Sequence, residues 1–245
     1  MSLKYKNILI TGAGKGIGET SVYKLLEEGA FVFALIKNKK DNYKFKNLKN
    51  LKIYNGNVQN FKLIEKILAD SVFLKKPINT LINNAGVRFR KQFLKIKTHE
   101  IERVFNINFF SILKNMQTFS KFVIKKKIIG NIINISSIVG SIGFKELSIY
   151  AATKGALNSL TQSFATEMVS KNIRANLVSP GFTKTSYFKK FKKKKKLYDW
   201  TLTRIPMNRW GESVEVSNLI VFLASDKSSY INGENINIDG GWINS

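Results

Sequence analysis

The chain has 245 residues, 44% of them hydrophobic, which is enough for one sizeable hydrophobic core. It has no cysteine and a single histidine, His99, which excludes disulfides, thiolate metal sites and a cysteine nucleophile. A histidine-based metal site is not expected either. The 41 lysines and arginines against 16 acidic residues give a net charge of +25, which attracts polyanions at low salt without identifying a partner.

No apolar stretch approaches the ~20 residues that a membrane-spanning helix needs. Residues 1–7 show no signal-peptide pattern. These features predict a protein of the cytoplasm, and the length predicts one domain over residues 1–245.

The first predicted element is a buried strand at 8–11, followed by a glycine-rich turn at 12–18 that opens a helix reaching Gly29. Glycines let the backbone approach a pyrophosphate, and the free N–H groups at the helix start attract the anion. The spacing is Thr-Gly-x-x-x-Gly-x-Gly rather than G-x-G-x-x-G. A simple turn is the alternative, but the pattern favours a phosphate-binding site.

Further strands are predicted at 31–36, 51–54 and 81–82, with a helix at 61–74. This alternation predicts an α/β fold of the Rossmann type, a doubly wound parallel sheet of about seven strands with helices on both faces. The fourth strand ends in Asn-Asn-Ala-Gly at 83–86, where small and amide residues suit a cofactor that passes close to the backbone.

A long helix is predicted at 98–127 with Asn108 in its middle, an unusual place for a mediocre helix former. Strands at 132–135 and 174–178 flank a further helix at 148–170. These elements continue the alternation of strands and helices.

The chain from 182 to 211 loses this alternation, and seven lysines occur within 189–196. We expect a mobile lid here, and a solvated lysine run rather than a nucleic-acid site, because no nucleic-acid-binding module accompanies it. A helix at 213–224 and a strand at 234–238 complete the pattern.

Tyr150 and Lys154 are four residues apart in the predicted helix 148–170, so both side chains should project from one face. A nearby ammonium lowers the pKa of a phenol, and Tyr150 could then exchange a proton with an alcohol or ketone oxygen. Ser137, at the end of the preceding strand, could hold that oxygen. A surface pair is the alternative for an isolated Tyr-x-x-x-Lys.

The motifs occur together in the order and spacing of the short-chain dehydrogenase/reductase family, which the chain resembles over nearly its whole length. They are Thr11-Gly12-x-x-x-Gly16-x-Gly18, Asn83-Asn84-Ala85-Gly86, Asn108, Ser137, Tyr150-x-x-x-Lys154 and Pro180-Gly181. The resemblance implies an NAD(P)(H)-dependent oxidoreductase that interconverts a ketone and a secondary alcohol by hydride transfer. It also implies a single NAD(P)-binding domain with a substrate lid at about 182–211.

The resemblance assigns roles to four residues. Tyr150 would be the general acid/base, and Lys154 would lower its pKa and bind the nicotinamide ribose. Ser137 would orient the reacting oxygen, and Asn108 would hold a water in a proton relay to the lysine.

The resemblance further implies a cofactor site in which basic residues select NADP(H), with NAD(H) as the alternative. Its expected residues are Gly12, Lys15, Gly16, Ile17, Gly18, Lys37, Asn57, Val58, Asn84, Ala85, Gly86, Tyr150, Lys154, Pro180, Gly181 and Thr183. Lys15 and Lys37 would meet the 2′-phosphate, because the second strand ends without an acidic residue to hold a free ribose diol. Asn57 stands where the family often has Asp, before Val58.

Two substrate classes are compatible with the resemblance. Arg90 and the pattern Trp200-x-x-x-Arg204 are similar to gluconate 5-dehydrogenases and related sugar-acid or polyol enzymes, in which Arg90 would bind a carboxylate beside Ser137 and Tyr150. The alternative for Arg90 is a pair with an acidic neighbour or exposure to solvent. The sequence favours the sugar-acid class.

The second class is that of the 3-oxoacyl-[acyl-carrier-protein] reductases. Glu212 and residues 221–226 are similar to the corresponding residues of these enzymes. Basic residues of this chain could attract their acidic carrier protein. A catalytically silent cofactor-binding or nucleic-acid-binding protein is disfavoured, because all four expected catalytic residues are present. The resemblance implies a homotetramer built through the helices at 98–127 and 148–170.

Overall fold

Seven strands, each parallel to its neighbours, form the main sheet of the computed structural model, which describes residues 2–245. The strands of the chain are β1 (Asn7–Thr11), β2 (Phe31–Ile36), β3 (Leu51–Asn55), β4 (Thr80–Asn83), β5 (Gly130–Ile135), β6 (Ile173–Pro180), β7 (Thr183–Lys184), β8 (Gly211–Glu212) and β9 (Asn235–Ile238). The sheet has the order β3-β2-β1-β4-β5-β6-β9, and β7 pairs separately with β8. The strand order reverses beside β1, so a crevice opens between the ends of β1 and β4.

Helices cover both faces of the sheet. They are α1 (Gly16–Glu27), α2 (Phe61–Phe73), α3 (Thr98–Phe105), α4 (Ser111–Lys126), α5 (Ser148–Met168), α6 (Phe188–Lys192), α7 (Lys195–Arg204) and α8 (Ser213–Ala224). The doubly wound fold that the sequence predicts is confirmed, and the strand bounds agree to within about two residues. No helix within residues 2–245 combines the length and the apolarity needed to cross a membrane.

The two helical layers follow from the alternation of side chains along each strand. Ile8 and Ile10 belong to the core under α1 and α8, whereas Leu9 belongs to the core under α2, α4 and α5. Successive strand residues point to opposite faces, so a run of consecutive apolar residues is what a sheet covered on both sides requires. Full burial of one such apolar side chain contributes about 1.5–3 kcal/mol to stability relative to leaving it exposed.

The long helix expected at 98–127 is present over residues 98–126 and includes a change of winding. A π-helical turn, Asn106–Phe110, separates α3 from α4, and Asn108 lies within it. π-Turns are rare and often mark functional sites. The expected helical segment is therefore confirmed, and its winding changes at the residue that the sequence singled out.

Residues 182–211, the lid segment, contain two short helices rather than an irregular loop. Phe191 interrupts the lysine run and is buried beside Trp210, with ring centroids 4.9 Å apart. Together with Phe182, Trp242 and their neighbours they form an aromatic cluster that also contacts Phe144. All seven lysines of the run lie exposed around this cluster.

Candidate active site

A cavity of about 640 Å³ opens at the carboxyl ends of the central strands. Its volume lies within the range of roughly 300–1,000 Å³ that ligand pockets occupy. The walls come from the segments that follow β1 to β6, at the place where the strand order reverses. This is where doubly wound sheets bind ligands.

Most residues that the sequence predicts for the site line this one cavity. They are Gly12, Lys15, Gly16, Ile17, Lys37, Asn57, Val58, Asn84, Ala85, Gly86, Arg90, Ser137, Tyr150, Lys154, Pro180, Gly181 and Thr183. Gly18 and Asn108 do not line it and support its walls instead.

The glycine-rich turn is packed so closely against the end of β4 that no side chain fits at Gly12 or Gly18. Gly12 has φ +67°, and a Cβ added to it would lie 2.7 Å from the Cα of Ala85. A Cβ on Gly18 would overlap the carbonyl oxygen of Gly12 and the side-chain nitrogen of Asn84. The glycines are thus required by close backbone approach as well as by backbone conformation.

Side-chain hydrogen bonds join the ends of β1 and β4. The Thr11 hydroxyl accepts from the backbone N–H groups of Asn84 and Ala85, both at 3.1 Å. The Asn84 amide donates to the carbonyl oxygens of Thr11 at 3.1 Å and Gly12 at 3.0 Å. These bonds fix the crevice between the two strands.

The start of α1 offers backbone donors to an anion. Lys15 is its N-cap residue and makes no side-chain capping bond, so no side chain satisfies the N–H groups of the first turn. Gly16 and Ile17 line the cavity at this point. The free N–H groups and the helix dipole suit a phosphate.

Basic side chains lie at the same end of the cavity. The Lys15 ammonium is 3.9 Å from the carboxylate of Asp41 and remains half exposed, while Lys37 directly follows β2 and also lines the cavity. The glycine turn, the helix start and these cations together fit the adenosine half of a phosphorylated dinucleotide.

Asn108 holds backbone rather than reaching into the cavity. Its Oδ1 accepts from the Val87 N–H at 2.8 Å, and its Nδ2 donates to the Val87 carbonyl at 2.9 Å and to Thr153 Oγ1 at 3.3 Å. Thr153 in turn donates to the carbonyl of Tyr150 at 2.7 Å. The amide therefore ties the segment after β4 to α5, which accounts for an asparagine at the π-turn. Its role in holding a water stays a prediction.

Ser137, Tyr150 and Lys154 converge in the cavity as the helical spacing predicts. The Lys154 ammonium lies 5.8 Å from the centre of the Tyr150 ring, and it donates to the carbonyl of Ile135 at 2.7 Å. Ser137 follows β5 and its hydroxyl accepts from the N–H of Val139 at 3.4 Å. The neighbouring Ser136 instead donates to Asn158 at 2.6 Å, in a buried structural contact.

The pKa of Tyr150 moves opposite to the expectation from the sequence. Burial raises it above its usual value, and only partial compensation comes from the charge of Arg88 and a hydrogen bond with Ser137. Burial also lowers the pKa of Lys154 to about 8, which weakens this ammonium as a source of positive charge. The protein alone thus favours the protonated phenol of Tyr150 and weakens the hold of Lys154 on its proton.

The pKa of Lys154 predicts how cofactor affinity depends on pH. An ammonium is charged below its pKa, so the affinity of the ligand-free protein for anionic NADPH should fall as pH rises through about 8. Calorimetric titrations on either side of this pH would measure the change. Lys154→Met should bind more weakly and lose this step, whereas a step that survives in Lys154→Met would assign it to another group.

Arg90 lines the cavity, but a carboxylate already balances its charge. Its Nε donates to Glu146 Oε2 at 2.8 Å, the pairing that the sequence left open as the alternative. Sequence reasoning missed Arg88, two residues earlier, which also lines the cavity and lies close enough to lower the pKa of Tyr150. In so basic a chain, nothing in the sequence distinguishes one arginine from the other.

Trp200 and Arg204 lie outside this cavity. They border a separate depression of about 420 Å³ together with Phe144 and Trp242. Among the residues that the structure describes, only Phe144 borders both cavities. The structure therefore separates these residues from Arg90, with which the sequence grouped them.

Comparisons with known proteins agree with this geometry. A family model described as enoyl-(acyl carrier protein) reductase, adh_short_C2, matches residues 12–243. A tropinone reductase homolog from Arabidopsis thaliana is 37% identical over 98% of this chain and 93% of its own length. The 3-oxoacyl-[acyl-carrier-protein] reductase FabG of Thermotoga maritima is 35% identical over 99% of this chain and 100% of its own.

Solved structures have the same fold. A candidate gluconate dehydrogenase from Agrobacterium tumefaciens superposes with a TM-score of 0.93 at 26% identity, covering 100% of this chain and 98% of that one. ElxO with NADP bound superposes with a TM-score of 0.91 at 29% identity, covering 98% and 99%. The chain belongs to the short-chain dehydrogenase/reductase family of oxidoreductases.

Proposed function

We propose that this oxidoreductase interconverts a ketone and a secondary alcohol, with Tyr150 as the general acid/base. The supporting observation is the convergence of Ser137, Tyr150 and Lys154 in one cavity whose other end is the glycine-rich turn. A bound nicotinamide supplies the hydride to the carbonyl carbon in reduction and accepts it in oxidation.

The protein's own groups would handle the proton. In reduction Tyr150 gives its hydroxyl proton to the carbonyl oxygen, and Ser137 orients that oxygen by a hydrogen bond. Arg88 and the Lys154 ammonium favour the phenolate that remains, although burial opposes it. Apolar side chains on the adjoining wall, Ile138, Val139 and Leu147, limit the access of water.

We propose NADP(H) as the preferred cofactor, with Lys15 and Lys37 at its 2′-phosphate. Both lysines line the cavity, and solved relatives bind NADP or NADPH. A charge-assisted hydrogen bond contributes about 1.5–3 kcal/mol, so kcat/KM should favour NADPH over NADH at least tenfold.

Charge removal tests this preference. The double variant Lys15→Ala/Lys37→Ala should lose most of the preference by weakening NADPH alone. Lys39→Ala, an exposed lysine outside the cavity, is the matched control. Equal efficiency of the unaltered protein with the two cofactors would refute the assignment.

For the substrate we propose a sugar acid or polyol, in keeping with the gluconate-type structural neighbour. The second candidate is a 3-oxoacyl thioester on acyl carrier protein, which the FabG relatives favour. A panel of keto-gluconates, polyols and acetoacetyl thioesters, assayed by the absorbance of reduced cofactor, separates the two. Good turnover of the thioesters alone would reject the sugar-acid assignment.

Other parts of the proposal follow from the family. We expect one domain over 1–245 with a lid at 182–211, a cytoplasmic location and a homotetramer built through α3, α4 and α5. Light scattering measures the assembly.

A further inference from the structure

Arg88 is a positive charge without an acidic partner in the reaction cavity. Its side chain is exposed to the cavity, and within residues 2–245 it pairs with no carboxylate. Its guanidinium lies 5.0 Å from the centre of the Tyr187 ring in the lid segment. Besides burial, two further groups shift the pKa of the Arg88 guanidinium: Tyr150 raises it, and the like charge of Arg90 lowers it.

The contrast with its neighbours isolates this charge. Arg90 donates to Glu146 at 2.8 Å, and Lys91 donates to Glu100 at 2.7 Å. Each of the next two cations along the chain is therefore balanced by a carboxylate. Arg88 alone of the three is left for a ligand.

The protein around Arg88 displaces enough water from the guanidinium to lower its pKa, although the side chain faces the open cavity. An arginine stays charged despite such a shift, because its ordinary pKa lies far above neutral pH. A partly desolvated charge without a counterion is unfavourable, and an anion that enters the cavity would relieve it.

We propose that Arg88 binds the carboxylate of the substrate beside the Tyr150 hydroxyl, so that the enzyme acts on keto acids and hydroxy acids. The proposal rests on the proposed function and replaces Arg90 as the carboxylate-binding residue. The planar guanidinium matches a carboxylate through two parallel hydrogen bonds. Val139 and Leu147 form an apolar wall of the cavity, which the rest of a small acid would contact.

Acids and their methyl esters test the proposal directly, because an ester has nearly the same shape without the charge. The probes are a series of 2-oxo, 3-oxo, 4-oxo and 5-oxo acids, each with its methyl ester. The enzyme should prefer at least one acid to its ester, and Arg88→Gln should raise KM for that acid at least tenfold, equivalent to about 1.4 kcal/mol. KM for the ester should change little, whereas kcat should fall to a similar extent for acid and ester, because Arg88 also favours the Tyr150 phenolate.

Two variants distinguish other roles of these residues. Lys91→Gln removes the same charge from the same segment outside the cavity and should leave the ratio of acid to ester efficiency unchanged. If Arg90→Gln rather than Arg88→Gln removes the preference for the acid, the assignment to Arg88 is wrong. If Tyr187→Leu reproduces the effect of Arg88→Gln on acid and ester alike, Arg88 only holds the lid segment.

The outcomes separate this inference from the proposed function. Efficient reduction of esters and other neutral ketones, with no preference for any acid, would refute the role of Arg88 and leave the ketone chemistry standing. Failure to reduce any ketone, acid or neutral, while NADPH still binds in calorimetry would refute the proposed function itself.

Discussion

Tyr150→Phe should lose about 10²–10⁴-fold in kcat, the range that general acid–base catalysis contributes. The change removes the hydroxyl proton that we assign to the carbonyl oxygen, and it leaves the aromatic ring in place. Ser137 loses a hydrogen-bond partner but keeps its contact with the Val139 N–H. Affinity for NADPH should therefore remain close to that of the unaltered protein.

Steady-state rates and calorimetric titration with NADPH check the two halves of this expectation. Tyr198→Phe is the matched control, because Tyr198 packs at 5.7 Å from Trp210 in the aromatic cluster and does not line the cavity. Retention of more than a few per cent of activity in Tyr150→Phe would overturn the assigned mechanism.

Gly18→Ala should abolish high-affinity cofactor binding. The added methyl group would overlap the Gly12 carbonyl oxygen and the Asn84 amide, and neither can move freely because they are bonded to each other. The glycine-rich turn would shift by roughly 1 Å, a displacement that can reduce activity on the order of a hundredfold. We expect a comparable loss of NADPH affinity in calorimetry.

Gly143→Ala is the matched control, because a Cβ at Gly143 meets nothing within 4 Å. Circular dichroism would distinguish a local displacement in Gly18→Ala from unfolding. Affinity equal to that of the unaltered protein would show that the turn tolerates a side chain, contrary to its packing.

The sequence predicts those features that depend on neighbours along the chain. Consecutive apolar residues such as Ile8 to Ile10 predict a sheet that is buried on both faces. The spacing of Tyr150 and Lys154 predicts that both side chains lie on one helix face. Both are local patterns, and both are confirmed.

Features that depend on distant partners could not be read in this way. The asparagine at position 108 is explained by its hydrogen bonds to Val87, 21 residues away. Arg90 pairs with Glu146, which lies 56 residues away. The direction of the pKa shift of Tyr150 depends on burial that only the assembled cavity creates. In the lid segment, abundant lysine conceals the helical spacing of Phe188 and Phe191, whose rings pack against Trp210.

The aromatic cluster has a spectroscopic consequence. The chain contains three tryptophans, and Trp200, Trp210 and Trp242 all lie in or beside the lid segment, none of them in the parallel sheet. Intrinsic tryptophan fluorescence of this protein therefore reports the packing of the aromatic cluster, through which the lid segment contacts Phe144 and Trp242, while circular dichroism reports mainly the sheet and its helices. Following both signals through one thermal melt would show whether the lid detaches before the sheet unfolds, without any attached dye.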